Sequence, residues 1–317
     1  MRRYKRAFDS RSKLLGSRHP KTLQAHHSLA GVYFNSDRIL EAREMYESVL
    51  KDRREVLGPD HPDTLWTLNA LGGLLVHQGE IETAKRYLTE AKEGLERRLG
   101  PKAPDTLWVT HDLGIVYETL GEVEKAEKLH KTAVEGYQAL FGKEDPSTLY
   151  CMNDLAACYE RGNKLEEAEK LFGEVHDIKA KKLGKDHPDT LYTDNCLAGV
   201  LWGLMKLDEA EKCFGDTLLQ MRKRPPDPDF TWALSDFGDF LVAREKFNRA
   251  ESLYEECLDI RSRTLPPDYP DIISIKGKLT ELERARSAPH RTTSGSGPKT
   301  APHTYCFCSR RRREEHH

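Results

Sequence analysis

Residue types that carry out chemistry are present in this chain, but few of them have the spacing that the chemistry needs. His26 and His27 are adjacent, and because adjacent side chains on a helix point about 100° apart, they are a poor metal-binding pair. Cys306 and Cys308 do not have the spacing of a zinc knuckle. No strand–glycine–helix phosphate site is present. We therefore predict no catalytic residue, no metal and no cofactor, and we expect the chain not to be an enzyme.

Two sets of side chains recur at a nearly constant spacing along the sequence. The first contains only hydrogen-bonding residues, and we call it the polar ladder: His27, Asn69, His111, Asn153, Asn195 and Ser235. The second lies three residues earlier, and we call it the aromatic series: Trp66, Trp108, Tyr150, Tyr192 and Trp232, with Gln24 at the first position. Amide, imidazole and hydroxyl groups can pair with peptide amides and carbonyls, and aromatic rings supply large, rigid contact area.

The elements that position these residues are repeated pairs of helices. The string His-Pro-Asp-Thr-Leu occurs at 61–65 and again at 187–191, and related prolines stand at 20, 62, 104, 146, 188, 228 and 270, which is a period of 42 residues with one step of 40. Proline ends the preceding segment, and the Asp, Ser or Thr after it can cap a new helix, helix A. A Gly, Asn or Asp break follows, then a longer helix B that usually ends in Leu-Gly or Phe-Gly, where glycine is the common C-terminal cap.

Small residues recur inside both helices of every repeat. On helix A they are Ala30, Gly72, Gly114, Ala156, Ala198 and Gly238, and twelve residues later helix B has Ala42, Ala84, Ala126, Ala168, Ala210 and Ala250. Four residues after the helix B alanine stands a large apolar or aromatic residue, except in the third repeat, where it is His130. We expect these small residues to let the two helices of a pair approach closely.

This pattern resembles the tetratricopeptide repeat (TPR), in the extended 42-residue form of kinesin light chains and of related fungal repeat proteins. The resemblance covers roughly residues 2–286. It implies an all-α fold, a right-handed α-α superhelix of six helix-turn-helix repeats with a half repeat at each end. It also implies that helix A lines a concave groove, where asparagines such as Asn69, Asn153 and Asn195 would clamp a peptide.

The resemblance places both residue sets, together with Trp202, in a predicted peptide-binding groove. We expect the polar ladder to be exposed there, because six polar residues in a row would be costly in a core. For the aromatic series two alternatives stay open: exposure in the groove, or packing between neighbouring A helices. Replacing Asn153 and Asn195 by alanine is expected to weaken partner capture without melting the fold.

The resemblance to kinesin light chains implies a basic groove that binds acidic, tryptophan-containing cargo. The charges at the predicted groove of this sequence differ from that pattern. At the outer positions of helix A we count one arginine, Arg161, against Glu118 and Glu160. A basic groove is therefore missing, and we predict an extended peptide with apolar anchors instead of an acidic cargo.

Composition narrows the class of protein and of partner. The 317 residues include 50 Lys and Arg against 52 Asp and Glu, for a net charge of −2, so no overall field favours nucleic acid or an anionic membrane. No apolar run approaches the roughly 18–20 residues that cross a bilayer. Five of the seven cysteines fall inside the repeats without paired spacing, and we read them as reduced residues of a cytoplasmic protein.

The two ends of the pattern predict the domain organisation. Residues 1–14 match a helix B without its helix A, and residues 265–287 match a helix A that acts as a C-terminal cap. Between them lie six repeats: 15–56, 57–98, 99–140, 141–182, 183–224 and 225–264. Residues 288–317 read as a disordered tail. Because the pattern starts inside a repeat, we expect the chain to be part of a longer protein with an upstream domain.

Three functional hypotheses follow. The first is a cytoplasmic, non-catalytic scaffold that binds a protein or peptide partner, with no nucleic acid and no membrane involved. The second is the ligand-sensing TPR region of a larger nucleotide-binding, NLR-like signalling protein. The third is an accessory region of an enzyme, against which the missing catalytic domain argues. An upstream phosphate-binding loop would support the second hypothesis, and an upstream coiled coil would support a motor adaptor.

Overall fold

The protein is all-helical throughout the part that the computed structural model describes, which is residues 2–224, 231–263, 265, 267 and 269–287. The described helices are α1 (Arg2–Leu15), α2 (Pro20–Asn35), α3 (Ile39–Val56), α4 (Pro62–His77), α5 (Ile81–Leu99), α6 (Pro104–Thr119), α7 (Val123–Phe141), α8 (Pro146–Arg161), α9 (Leu165–Lys182), α10 (Pro188–Gly203), α11 (Leu207–Met221), α12 (Thr231–Ala243), α13 (Phe247–Ser262) and α14 (Pro270–Ser287). The all-α prediction is confirmed. The Pro225–Pro226 junction and the predicted disordered tail lie outside the described residues.

The helices alternate between the two predicted types. Even-numbered helices begin at a proline of the repeat or close to it and are A helices, and odd-numbered helices are B helices. Tertiary contacts divide the chain near the end of α8 into two compact units, the first reaching Cys158 and the second starting at Tyr159. Consecutive helices pack on each other from α1 to α7 in the first unit and from α9 to α14 in the second.

The small residues have the packing role that the sequence predicts for them. A Cβ built on Gly72 of α4 would lie 2.7 Å from Cγ of Leu88 in α5, and one on Gly114 of α6 would lie 2.7 Å from Cε1 of His130 in α7. These distances are shorter than side chains tolerate, so only glycine lets the two helices of these pairs approach so closely. Ala84 and Ala126, the matching B-helix residues, are fully buried.

The turn between helix A and helix B requires a left-handed backbone. Gly79 and Gly121 take φ values of 78° and 76° there, and Asn163 takes 57°. Glycine and asparagine adopt this region readily. Met205 and Glu245 occupy the same position with φ values of 60° and 57°, where an ordinary side chain costs free energy.

The connection from helix B to the next helix A explains the His-Pro-Asp-Thr string. Gly58, just past the end of α3, has a φ of 93°, and its carbonyl accepts a hydrogen bond from the Thr64 hydroxyl at 2.9 Å. Nδ1 of His61 accepts from the amide of Asp63 at 3.1 Å. The helix cap is thus the residue before the proline. Our prediction that the Asp, Ser or Thr after the proline does the capping was wrong, because the threonine bonds back to the glycine carbonyl.

Successive hairpins are also joined by buried cations. Nη1 of Arg53 in α3 donates to the Asp63 carbonyl at 2.7 Å and to the Thr67 hydroxyl at 2.8 Å. Lys179 of α9 makes the same two contacts with Asp189 and Thr193. A buried cation is tolerated here because fixed oxygen acceptors replace its water.

Candidate peptide-binding face

The polar ladder lies on the A helices, but it is not exposed. The exposed fractions are 5% for His27, 3% for Asn69, 0% for His111, 1% for Asn153, 3% for Asn195 and 8% for Ser235. Our prediction that the ladder is open to solvent was therefore wrong. Neighbouring side chains cover it: His27 packs on Tyr46 of its own B helix with ring centroids 5.1 Å apart, and His111 packs on Tyr150 of the next A helix at 5.0 Å.

In the first unit the aromatic series is only partly covered. Trp66 and Trp108 are half-buried, whereas Tyr150 is 4% exposed. The rings of Trp108 and Tyr150 stack with centroids 5.9 Å apart and an angle of 12° between their planes. Aromatic packing between neighbouring A helices therefore occurs, as one of the two alternatives proposed, but it leaves part of each tryptophan accessible.

The second unit repeats this arrangement with different geometry. Tyr192 and Trp232 are half-buried, and their rings meet edge to face with centroids 5.3 Å apart. Trp202, which we placed in the predicted groove, is 6% exposed and packs on Phe240 at 5.6 Å. Trp202 is consequently a core residue, because it fills space between α10 and α12.

A charged cluster surrounds the ladder in the first unit. Nε2 of His111 lies 2.9 Å from Oδ2 of Asp154, and its Nδ1 lies 3.7 Å from Oδ1 of Asp112. Burial lowers the pKa of His111, but the neighbouring carboxylates of Asp112 and Asp154 outweigh it and raise the pKa to about 9. His111 is therefore protonated at neutral pH and supplies a cation for these carboxylates. His130 packs on His111 with ring centroids 4.9 Å apart.

In the second unit the equivalent pair contains no cation. Nδ2 of Asn195 donates to Oδ2 of Asp236 at 2.7 Å. Burial raises the pKa of Asp236 to about 7, an effect that the nearby Asp239 adds to and the Asn195 hydrogen bond opposes. Burial likewise raises the pKa of Glu160, at the end of α8, to about 7. The charge of Asp239 is compensated, since its carboxylate accepts from Lys278 at 2.5 Å and from the Tyr254 hydroxyl at 2.6 Å.

Sequence reasoning missed the acidic residues beside the ladder. Asp112, Asp154 and Asp236 each directly follow a ladder residue, at a position that our charge count did not include. That count took only the outer positions of helix A, such as Glu118 and Glu160. The signal was available, because an acid directly after the ladder residue recurs in three of the six repeats. Within the described chain no group of three or more His, Cys, Asp or Glu side chains is arranged to hold a metal ion.

Two protein-family models match this chain. The tetratricopeptide repeat model matches residues 23–97, 72–139 and 105–181, and a second model of the same repeat matches 231–271. The chain belongs to the tetratricopeptide repeat family. A search of curated proteins finds no match to it.

Solved structures agree with this family. A kinesin light chain-like protein of Podospora anserina with nearly identical TPR-like repeats is 26% identical, and the match covers 65% of this chain and 97% of that one with a TM-score of 0.56. A STAND protein with a TPR sensor from Pyrococcus horikoshii is 15% identical over 91% of this chain and 41% of its own, with a TM-score of 0.62. A Rap protein complexed with Competence and Sporulation Factor is 13% identical over 89% and 79%, with a TM-score of 0.60. The last two likenesses show the fold alone, whereas the first confirms the kinesin light chain-like resemblance.

Repeats of this family are typically non-catalytic scaffolds, and their fold generally serves to bind protein partners. No described helix has the length and apolar character that crossing a membrane would require.

Proposed function

We propose that this chain is a non-catalytic scaffold that binds an extended peptide along its A helices, as a kinesin light chain-like repeat protein. The observation that carries the proposal is the aromatic series. Trp66 and Trp108 in the first unit, and Tyr192 and Trp232 in the second, are half-buried at the same position of their repeats. Large rings fixed by their neighbours, with accessible surface left over, are the contacts that become binding hot spots.

The polar ladder takes a different part in this proposal from the one that the sequence suggested. His111 lies behind the ring pair of the first unit, 6.2 Å from Trp108 and 5.0 Å from Tyr150 between centroids. The buried polar ladder therefore contributes to binding indirectly in this proposal, because it holds the aromatic rings in place. The Asn153→Ala, Asn195→Ala double variant is therefore a poor test, because removing buried amides also changes packing and stability.

The proposal is tested with peptides selected from a random phage-displayed library on the purified chain. A selected peptide is titrated by calorimetry against wild type, Trp66→Ala, Trp108→Ala and Trp232→Ala. Loss of a hot-spot aromatic is expected to weaken binding about tenfold or more. Leu40→Ala is the matched control, because Leu40 is 70% exposed on the B helix α3. A library without enriched peptides, or tryptophan variants that bind like wild type, would contradict the proposal.

The cytoplasm is the compartment that we propose for the protein. Cys151, Cys158, Cys196, Cys213 and Cys257, the described cysteines, are all free thiols, which supports a reducing environment. The NLR-like sensor remains the alternative: an upstream phosphate-binding loop in the full-length transcript would favour it over the scaffold.

A further inference from the structure

Three acceptor side chains meet on one A helix of the second unit, and we call them the acceptor cluster: Glu160, Asn195 and Asp236. Asn195 bonds to Asp236. Oε1 of Glu160 lies 3.6 Å from the point that a Cβ on Gly199 would occupy. Gly199 follows Asn195 by four residues, so both lie on the same face of α10. The carboxylates of α8 and α12 therefore approach the same face of the helix between them.

The two carboxylates of the cluster have no cationic partner. Among the described residues neither Glu160 nor Asp236 forms an ion pair. The cations whose charge reaches Asp236 are bonded elsewhere: Lys278 to Asp239 and Ser235, and Arg261 to the Thr231 hydroxyl at 2.8 Å. Arg161, the chain neighbour of Glu160, lowers the pKa of the Glu160 carboxyl, but burial and the charge of Asp236 together raise it by more. Partly buried carboxylates without a cation are costly to the fold.

Asn195 adds an acceptor without a donor. Its side chain is 3% exposed, and its Oδ1 accepts no hydrogen bond from any described residue. The orientation of the amide is fixed, because only Nδ2 can donate to the Asp236 carboxylate. Oδ1 shares a carbon with Nδ2 and so lies beside that carboxylate. The cluster thus combines two carboxylates and one amide oxygen. A ligand group with a positive charge and several N–H donors would satisfy all three acceptors.

The first unit provides an internal comparison. There the equivalent ladder residue is His111, and its protonated ring fills the same role toward Asp154 at 2.9 Å. In the second unit Asn195 replaces that histidine and Asp236 keeps the acid. The same acidic position is therefore neutralised from within the chain in one unit and left open in the other.

We propose that Glu160, Asn195 and Asp236 form a binding site for an arginine side chain of the partner peptide. This inference rests on the proposed function, which it deepens by naming the charge of the ligand. A guanidinium group has five N–H donors in a planar fork and no acceptor, and it matches two carboxylates and an amide oxygen. A site of this kind prefers a basic peptide, which is the opposite of a preference for acidic cargo.

The first test uses L-argininamide as the probe, with L-citrullinamide as the control that replaces the guanidinium by a neutral urea group. Binding is followed by NMR through the side-chain amide signals of Asn195. Argininamide is expected to shift these signals with a Kd of about 1 mM or tighter, and citrullinamide to leave them in place. Because the cation binds the ionised carboxylates, and each of the two carboxyls has a pKa of about 7, affinity should rise at least about tenfold from pH 6 to pH 8.

Variants separate a specific site from general attraction. Asn195→His supplies the internal cation of the first unit, and Asp236→Asn removes one charge with little change of shape. Both should lose argininamide binding, measured by calorimetry, whereas Glu209→Gln, an exposed acid on α11, should keep it. Circular dichroism checks that each variant is folded. If Asn195→His does not fold, Asp236→Asn alone decides the question.

The failure of this inference is distinguishable from that of the proposed function. No effect of argininamide on the wild type, or equal binding by wild type and Asp236→Asn, would overturn the arginine site even if library peptides bind. Absence of library peptides would overturn the proposed function. Selected peptides are expected to carry Arg at one position, and that preference should disappear when Asp236→Asn is the target.

Discussion

Replacing Asp236 by asparagine should stabilise the protein at alkaline pH. Asp236 is a half-buried carboxyl whose pKa is raised from 3.8 to about 7. At about 1.36 kcal/mol for each pKa unit, this difference sets a ceiling of about 4 kcal/mol. Solvent screening of a side chain that is not fully buried reduces the effect, and we expect about 1–2 kcal/mol. Asparagine keeps the hydrogen bond, because its Oδ1 can still accept from Asn195.

The pH dependence gives this prediction its sign. Between about pH 4 and pH 7 the folded state holds a proton on Asp236 that the unfolded state has lost, so the free energy of unfolding falls as pH rises through this window. Asp239, Lys278, Arg261 and Glu160 are the charged groups that face Asp236. Their own titration largely cancels when the variant is compared with wild type at each pH.

The assay is chemical denaturation of wild type and Asp236→Asn at pH 4.5, 6, 7 and 8.5. The variant should match wild type at pH 4.5, exceed it increasingly up to about pH 7, and stay more stable at pH 8.5. A stability difference that is the same at every pH, or a variant that is less stable at pH 8.5, would refute the claim that this carboxylate lacks a cationic partner.

Three further predictions concern stability and are tested by chemical denaturation. Gly72→Ala should cost about 1–3 kcal/mol of unfolding free energy, because its Cβ would lie 2.7 Å from Leu88, whereas Gly173→Ala on α9, with nothing within 4 Å, should gain about 0.5–1 kcal/mol; equal effects would contradict the close approach. Met205→Gly should stabilise by about 1 kcal/mol by relieving a φ of 60°, and a loss would show that the turn is unstrained. His111→Gln should cost about 3 kcal/mol at pH 6, and less as pH rises through the His111 pKa of about 9; a loss that does not vary with pH would exclude a charged His111.

The repeat and its packing could be predicted from sequence because they depend on local features at a fixed spacing. Gly58 and Gly79 stand where the backbone must be left-handed, and Gly72 stands where two helices touch. Each of these requirements restricts the choice of residue at one position. The periodicity of proline and glycine therefore carries most of the information about where helices start, end and approach one another.

The burial of the ladder could not be read in the same way. A polar residue on helix A suits either solvent or a buried partner, and the partner stands in the next repeat: Asp154 for His111 and Asp236 for Asn195. Such pairs are recognisable only when two positions about 42 residues apart are considered together. The helix cap was mistaken for a related reason. Histidine is an uncommon capping residue, and a threonine hydroxyl can either accept from a helix amide or, as here, donate to the glycine carbonyl.

Photo-crosslinking of a bound peptide tests the central claim most directly. A library-selected peptide with a photoreactive residue is irradiated on the folded chain, and the labelled residues are identified by mass spectrometry. Binding along the A helices predicts labels on α4 and α6, or on α10 and α12, near Trp66, Trp108, Tyr192 and Trp232. Labels confined to the B helices, such as α5 and α11, would contradict the account.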